Sequence, residues 1–101
     1  MRLSKSEKTS IKKRLSERFS REAEITKVVL FGSFISSEEP NDLDIAVFQN
    51  SDENYITLSM RYRRFLQELN LALPCDIIPL RPDPQGVFLN EINAGEVIFE
   101  R

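Results

Sequence analysis

Apolar residues recur at changing periods along the chain, and the changes mark its elements. Ile11, Leu15 and Phe19 are spaced by four behind a Ser4 and Glu7 pair with capping-box spacing, so the pattern predicts a helix over about residues 5–21. Thr26-Lys27-Val28-Val29-Leu30-Phe31 is β-branched and apolar on both faces up to Gly32, which marks a buried strand. The turn residues of Ser36-Ser37-Glu38-Glu39-Pro40-Asn41 predict a loop, and Leu43-Asp44-Ile45-Ala46-Val47-Phe48 a second strand. Asp52 is positioned to cap a long helix limited by Pro74, on which Tyr55, Leu58, Tyr62, Phe65, Leu66 and Leu69 form an apolar stripe. Tyr55 and Tyr62 are therefore expected in the core, with a ring bordering a purine as the other reading. Cys75-Asp76-Ile77-Ile78-Pro79-Leu80 reads as a third strand, with Pro79 at a sheet edge or strand end because it has no amide to donate. A loop at Arg81-Pro82-Asp83-Pro84 leads to a short helix with Val87, Phe88, Leu89 and Ile92. Gly95 is its stop, and Val97-Ile98-Phe99 a last strand.

This order predicts an α/β chain of the two-layer α+β kind, a small mixed sheet with helices packed on it. Residues 33–42 are too few for a helical crossover, so the first two strands are expected to be antiparallel neighbours or joined by a tight excursion. A chain of 101 residues supports one small core, and residues 1–101 are read as a single domain. With 41% hydrophobic and 30% charged residues, it has the composition of a folded domain and not of a disordered tail. No apolar run approaches the ~20 residues that cross a bilayer, and a charged amphipathic segment follows the first residues where a signal peptide needs an apolar one. No membrane association and a cytoplasmic location are expected.

Charge sharpens the picture. The formal net charge of −2 argues against general nucleic-acid binding. Residues 1–27 nevertheless carry nine Lys or Arg against four Glu, whereas residues 38–53 carry six acidic residues and no basic one. The basic residues Lys12, Lys13, Arg14, Arg18 and Arg21 are expected on a solvated helix face. Arg61, Arg63 and Arg64 are read the same way, with contact to a triphosphate or an acidic partner as the other reading. Histidine is absent and Cys75 is the one cysteine, which excludes disulfide frameworks, Cys or His zinc sites and histidine-based triads within the chain. Any metal must be held by oxygen, and Cys75 is expected to be a small packing residue.

Asp42 and Asp44 stand two apart at the start of a predicted strand, so both carboxylates project to one face, with Cα atoms about 6.6 Å apart. Leu43, Ile45 and Val47 take the other face. Asp76 interrupts an apolar strand, a costly position unless it is paired, hydrogen-bonded or metal-bound. If the two strands are neighbours, three carboxylates converge, and such an oxygen cluster suits magnesium, which recruits substrate phosphates to its shell. Gly32 lets backbone approach a ligand, and Ser33 adds a hydroxyl that can bond phosphate oxygens. The plain alternatives are a turn aspartate at 42, a lysine-paired strand aspartate at 76 and a simple strand terminator at Gly32-Ser33.

Phe31-Gly32-Ser33, then eight residues, then Asp42-Leu43-Asp44-Ile45, then a late strand with Asp76, resembles the minimal nucleotidyltransferases (MNT type) of the DNA polymerase β superfamily. The ending Ile92-Asn93-Ala94-Gly95-Glu96-Val97-Ile98-Phe99 is similar to that family's short helix, glycine and terminal strand. The resemblance implies a nucleotidyltransferase fold, with Asp42 and Asp44 binding two Mg²⁺ ions (Mn²⁺ as a substitute) and Asp76 completing one metal site. It implies Gly32 and Ser33 on the outer phosphates of ATP or another nucleoside triphosphate, and transfer of a nucleoside monophosphate to an acceptor hydroxyl. It also implies a helical HEPN-type protein partner in a toxin–antitoxin pair, with a second copy of the chain as the other candidate. Family members commonly carry a small residue, an arginine and a glycine soon after Gly-Ser. This chain reads Phe34-Ile35-Ser36-Ser37-Glu38-Glu39 there, which motivates the alternative of an inactive binding module of the same fold.

Overall fold

The computed structural model describes residues 2–82 and 89–101. The first helix, α1 (Lys5–Phe19), begins with the expected capping box. The Ser4 hydroxyl accepts from the Glu7 amide at 3.0 Å, and the Glu7 carboxylate accepts from the Ser4 amide at 3.0 Å. It stops two residues short of the predicted end, because the Ser20 amide closes the last turn on Ser16 and the Ser20 hydroxyl donates to the Glu17 carbonyl. Strand β1 (Ile25–Phe31), a single helical turn α2 (Ser33–Ser36) and strand β2 (Leu43–Gln49) follow. Then come α3 (Tyr55–Leu69), β3 (Cys75–Leu80), α4 (Leu89–Asn93) and β4 (Glu96–Glu100). The loop predicted at Asp83-Pro84 and the helical positions Val87 and Phe88 lie outside the described residues.

The strands form one sheet in the order β3-β2-β1-β4. β1 and β2 are antiparallel neighbours, with α2 as the tight excursion between them. β2 and β3 are parallel, joined by α3, so the sheet is mixed as expected. β3 lies at the edge, where Pro79 can lack an amide without breaking an inner ladder. β4 pairs antiparallel with β1, and Gly95 fits where any Cβ would collide with the Leu30 carbonyl and the Val29 side chain.

Period-two alternation gives each strand two unlike faces. Val28 and Leu30 of β1, Leu43, Ile45 and Val47 of β2, and Ile77 of β3 face the helices. They bury Ile11, Leu15 and Phe19 of α1 together with Leu58, Tyr62, Phe65 and Leu66 of α3. Phe19, Tyr62 and Phe65 form an aromatic knot with centroids 5.8–5.9 Å apart. A smaller cluster of Val29, Phe31, Ala46, Phe48 and Ile92 covers the other face.

Three expectations need correction. The N-cap of α3 is Asn54 and not Asp52. Asn54 immediately precedes the helix, so its Oδ1 accepts from the Thr57 amide at 2.9 Å, while Asp52 lies too far upstream to reach an unpaired first-turn amide. Tyr55 is 57% exposed, since the buried stripe of α3 starts one turn later at Leu58. Arg18 is no solvated side chain: its guanidinium lies 3.6 Å from the Phe65 ring centroid and pairs with Glu22 and Glu68, joining α1 to α3.

Candidate functional site

The strand order brings the predicted chemistry to one end of the sheet. Because β2 and β3 run parallel with Asp44 opposite Asp76 in register, both carboxylates leave the same face of adjacent strands at their N-terminal ends. Asp42 joins them from the residue before Leu43. One carboxylate oxygen from each of Asp42, Asp44 and Asp76 lies within 4.8 Å of the others, a spacing a single divalent cation can span. Among the described residues, none of the three is in a salt bridge with Lys or Arg, so the reading of Asp76 as a lysine-paired strand residue finds no support.

Uncompensated, the cluster strains its own ionisation. Burial first, then the negative charges of Asp42, Asp76 and Glu91, push the Asp44 carboxyl up to about 6. Glu91 is on α4, and its position two residues into a short helix carries no sequence signal that its charge reaches Asp44. The same field acts on Cys75: burial, with Asp76 and Asp42 behind it, pushes the thiol up to about 11. It stays protonated, donating to the Leu73 carbonyl at 3.4 Å, as a packing residue should.

Gly32 stands against the cluster. Its φ of 76° is left-handed backbone, and a Cβ there would collide with the Asp44 Oδ2 atom. Glycine therefore lets the chain turn from β1 into α2 in direct contact with the carboxylate. The Ser33 hydroxyl is 3.4 Å from Asp42 Oδ1, so the strand-ending pair and the acid pair form one site. The turn is tied internally by the Ile35 and Ser36 amides on the Gly32 carbonyl and by the Ser37 amide on that of Ser33.

The basic residues are unevenly placed with respect to this site. Arg61 pairs with Glu24 and Glu53. Arg63, with Gln67, Asn70, Leu71, Leu73, Cys75 and Asp76, lines a groove of about 450 Å³ between the end of α3 and the start of β3. Lys8 reaches the turn itself: its Nζ donates to the Phe34 carbonyl at 2.7 Å and the Ser37 carbonyl at 2.5 Å. A signal was present, because Lys8 shares the 8, 11, 15, 19 stripe with the buried face of α1.

The site thus combines, on a mixed sheet, an acid pair on one strand, a third acid on its parallel neighbour and a glycine turn against them. The sequence model for the polymerase beta nucleotidyltransferase domain matches residues 13–101, and the chain belongs to that family. Its small size is consistent with the minimal type. No match to a curated protein was found. Among the described residues no helix is long and apolar enough to cross a membrane.

Proposed function

We propose that the chain transfers a nucleoside monophosphate, AMP in the favoured reading, from a nucleoside triphosphate to an acceptor hydroxyl and releases pyrophosphate. The observation that carries this is the convergence of Asp42, Asp44 and Asp76 to within 4.8 Å with Gly32 packed against Asp44. The donor set fits a hard cation, being carboxylate oxygen alone, unpaired by any described Lys or Arg and costly to ionise without one. Asp42 and Asp44 would hold two magnesium ions and Asp76 would complete one shell; when bound, such ions stabilise the attacking and leaving oxygens of an in-line displacement.

The chain's own residues divide the remaining work. Gly32 backbone and the Ser33 hydroxyl orient the outer phosphates, and Asp76 takes the proton of the acceptor hydroxyl. Across the sheet the order is phosphate turn on β1, acid pair on β2, Asp76 on β3 and then the groove by Arg63. In-line displacement needs attacking and leaving oxygens on opposite sides of the phosphorus. With pyrophosphate on the Gly32-Ser33 side, the acceptor enters from the groove side.

The acceptor is proposed to be a hydroxyl on a helical HEPN-type protein, the chain acting in the cytoplasm as the antitoxin of a toxin–antitoxin pair. A second copy of the chain is the other source of acceptor contacts. Co-expression with such a partner should give it the mass of one added adenylate, lost with Asp42→Asn; no added mass with any partner or nucleotide would overturn the proposal. The alternative, an inactive module that works by contact, predicts no heat on titration with ATP and Mg²⁺, whereas a transferase binds.

A further inference from the structure

We infer that Lys8 is a positioning residue for the triphosphate turn, supplying from α1 the cation that the loop after Ser33 lacks. The inference rests on the nucleotide reading above and adds a residue outside the Gly-Ser and Asp-x-Asp motifs. The stretch Phe34-Ile35-Ser36-Ser37-Glu38-Glu39 has no basic residue. A turn of four residues leaves its C-terminal carbonyls without helical partners, and two of the carbonyls at that end, those of Phe34 and Ser37, converge on one ammonium. The contact is part-buried, and the Lys8 Nζ also lies 5.3 Å from the Phe34 ring centroid. Charge-assisted bonds of this kind are about twice as strong as neutral ones, and burial screens them little.

The anchor is rigid at both ends. Lys8 stands one turn before Ile11 on a helix held in the core by Ile11, Leu15 and Phe19, and Phe34 is fully buried in the same cluster. The Leu3 amide adds a bond to the Glu38 carbonyl at 3.1 Å, so the start of α1 grips both sides of the loop. Holding the Phe34 and Ser37 carbonyls fixes the far end of a turn whose near end is Gly32-Ser33. Phosphate oxygens thus meet a preorganised backbone. Arg2 meets the Glu38 and Glu39 carboxylates at 3.4 and 3.9 Å, but all three side chains are largely exposed and the pairs are weak.

The test is calorimetric titration of ATP with Mg²⁺ into wild type, Lys8→Met and Lys8→Arg, with Mn²⁺ titrated alone and amide exchange followed at Ile35, Ser36 and Ser37. Lys8→Met should weaken ATP binding about tenfold and speed exchange at those three amides by a similar factor, with Mn²⁺ affinity unchanged and Lys8→Arg recovering most of the loss. Lys5→Met, which removes the same charge from an exposed site on α1, should change neither readout. If Lys8→Met does not fold, Lys8→Gln carries the same comparison. Equal ATP affinity in wild type and Lys8→Met, or weaker binding without faster exchange at the turn, overturns this role and leaves the proposed function standing. No ATP binding by the wild type overturns both.

Discussion

At its N-terminal end, strand β2 meets opposite surroundings on its two faces. On one, Leu43, Ile45 and Val47 are completely buried under α1 and α3. On the other, at the same end of the strand, Asp44 lies half-buried beside Asp42 and Asp76 with no described counter-ion. Residues one apart along one backbone thus meet an apolar interior and a concentration of like charge. Native stability is a small difference between large terms, so the apolar contacts must supply enough to tolerate an acidic strand end that opposes folding. Burial and neighbouring negative charge make Asp44 costly to ionise, an arrangement that functional sites share.

The largest break in this comparison should come from the covered face. Phe19→Ala removes the ring that meets both Tyr62 and Phe65, and should lower unfolding free energy by about 3–5 kcal/mol in urea denaturation. Gly32→Ala should cost about 1–3 kcal/mol from its left-handed backbone. Its Cβ should also displace Asp44, weakening Mn²⁺ binding measured by electron paramagnetic resonance. Asp44→Asn should move in two directions. Without metal it should raise the melting temperature at pH 8, yet weaken Mn²⁺ binding by about tenfold or more, as losing a direct ligand must cost at least what losing a supporting partner does.

The pH dependence has a fixed sign. The folded-state value of Asp44 is raised to about 6 from an ordinary 3.8, so between those values the folded chain binds more protons than the unfolded one. The Asp44 contribution to the stability of the metal-free protein should therefore fall as pH rises from about 4 to about 6 and then level. A melting series of wild type against Asp44→Asn should isolate that window, and a divalent ion should reverse the trend above it. Smallest, and confined to the helix layer, Asn54→Ala should cost about 1 kcal/mol, with Asp52→Ala close to neutral.

Much of this was legible before any fold was known, and the legible part was short in range. The Ser4 capping box, the α1 and α3 stripes and the strand at residues 26–31 follow from neighbours within a few positions. So does the projection of Asp42 and Asp44 to one face, because alternation in a strand is local. One correction is local as well: Asp52 and Asn54 are both plausible caps, and only the onset of helical backbone at Tyr55 distinguishes them, whereas the partners of Arg18 on α3 are remote in sequence.

What the chain determined by itself was the set of elements other than the short turn α2, their buried stripes and the residue types able to hold a hard cation. Tertiary structure decided that β3 lies parallel to β2 with Asp76 in register with Asp44. It also decided that Glu91 adds to their field and that Lys8 bridges 26 and 29 positions to reach the turn after Gly32. The reason is physical. Hydrophobic periodicity says which side of an element must be covered, whereas a charge or hydrogen bond needs a particular atom within about 3 Å, and that partner exists only once the strand order has been set.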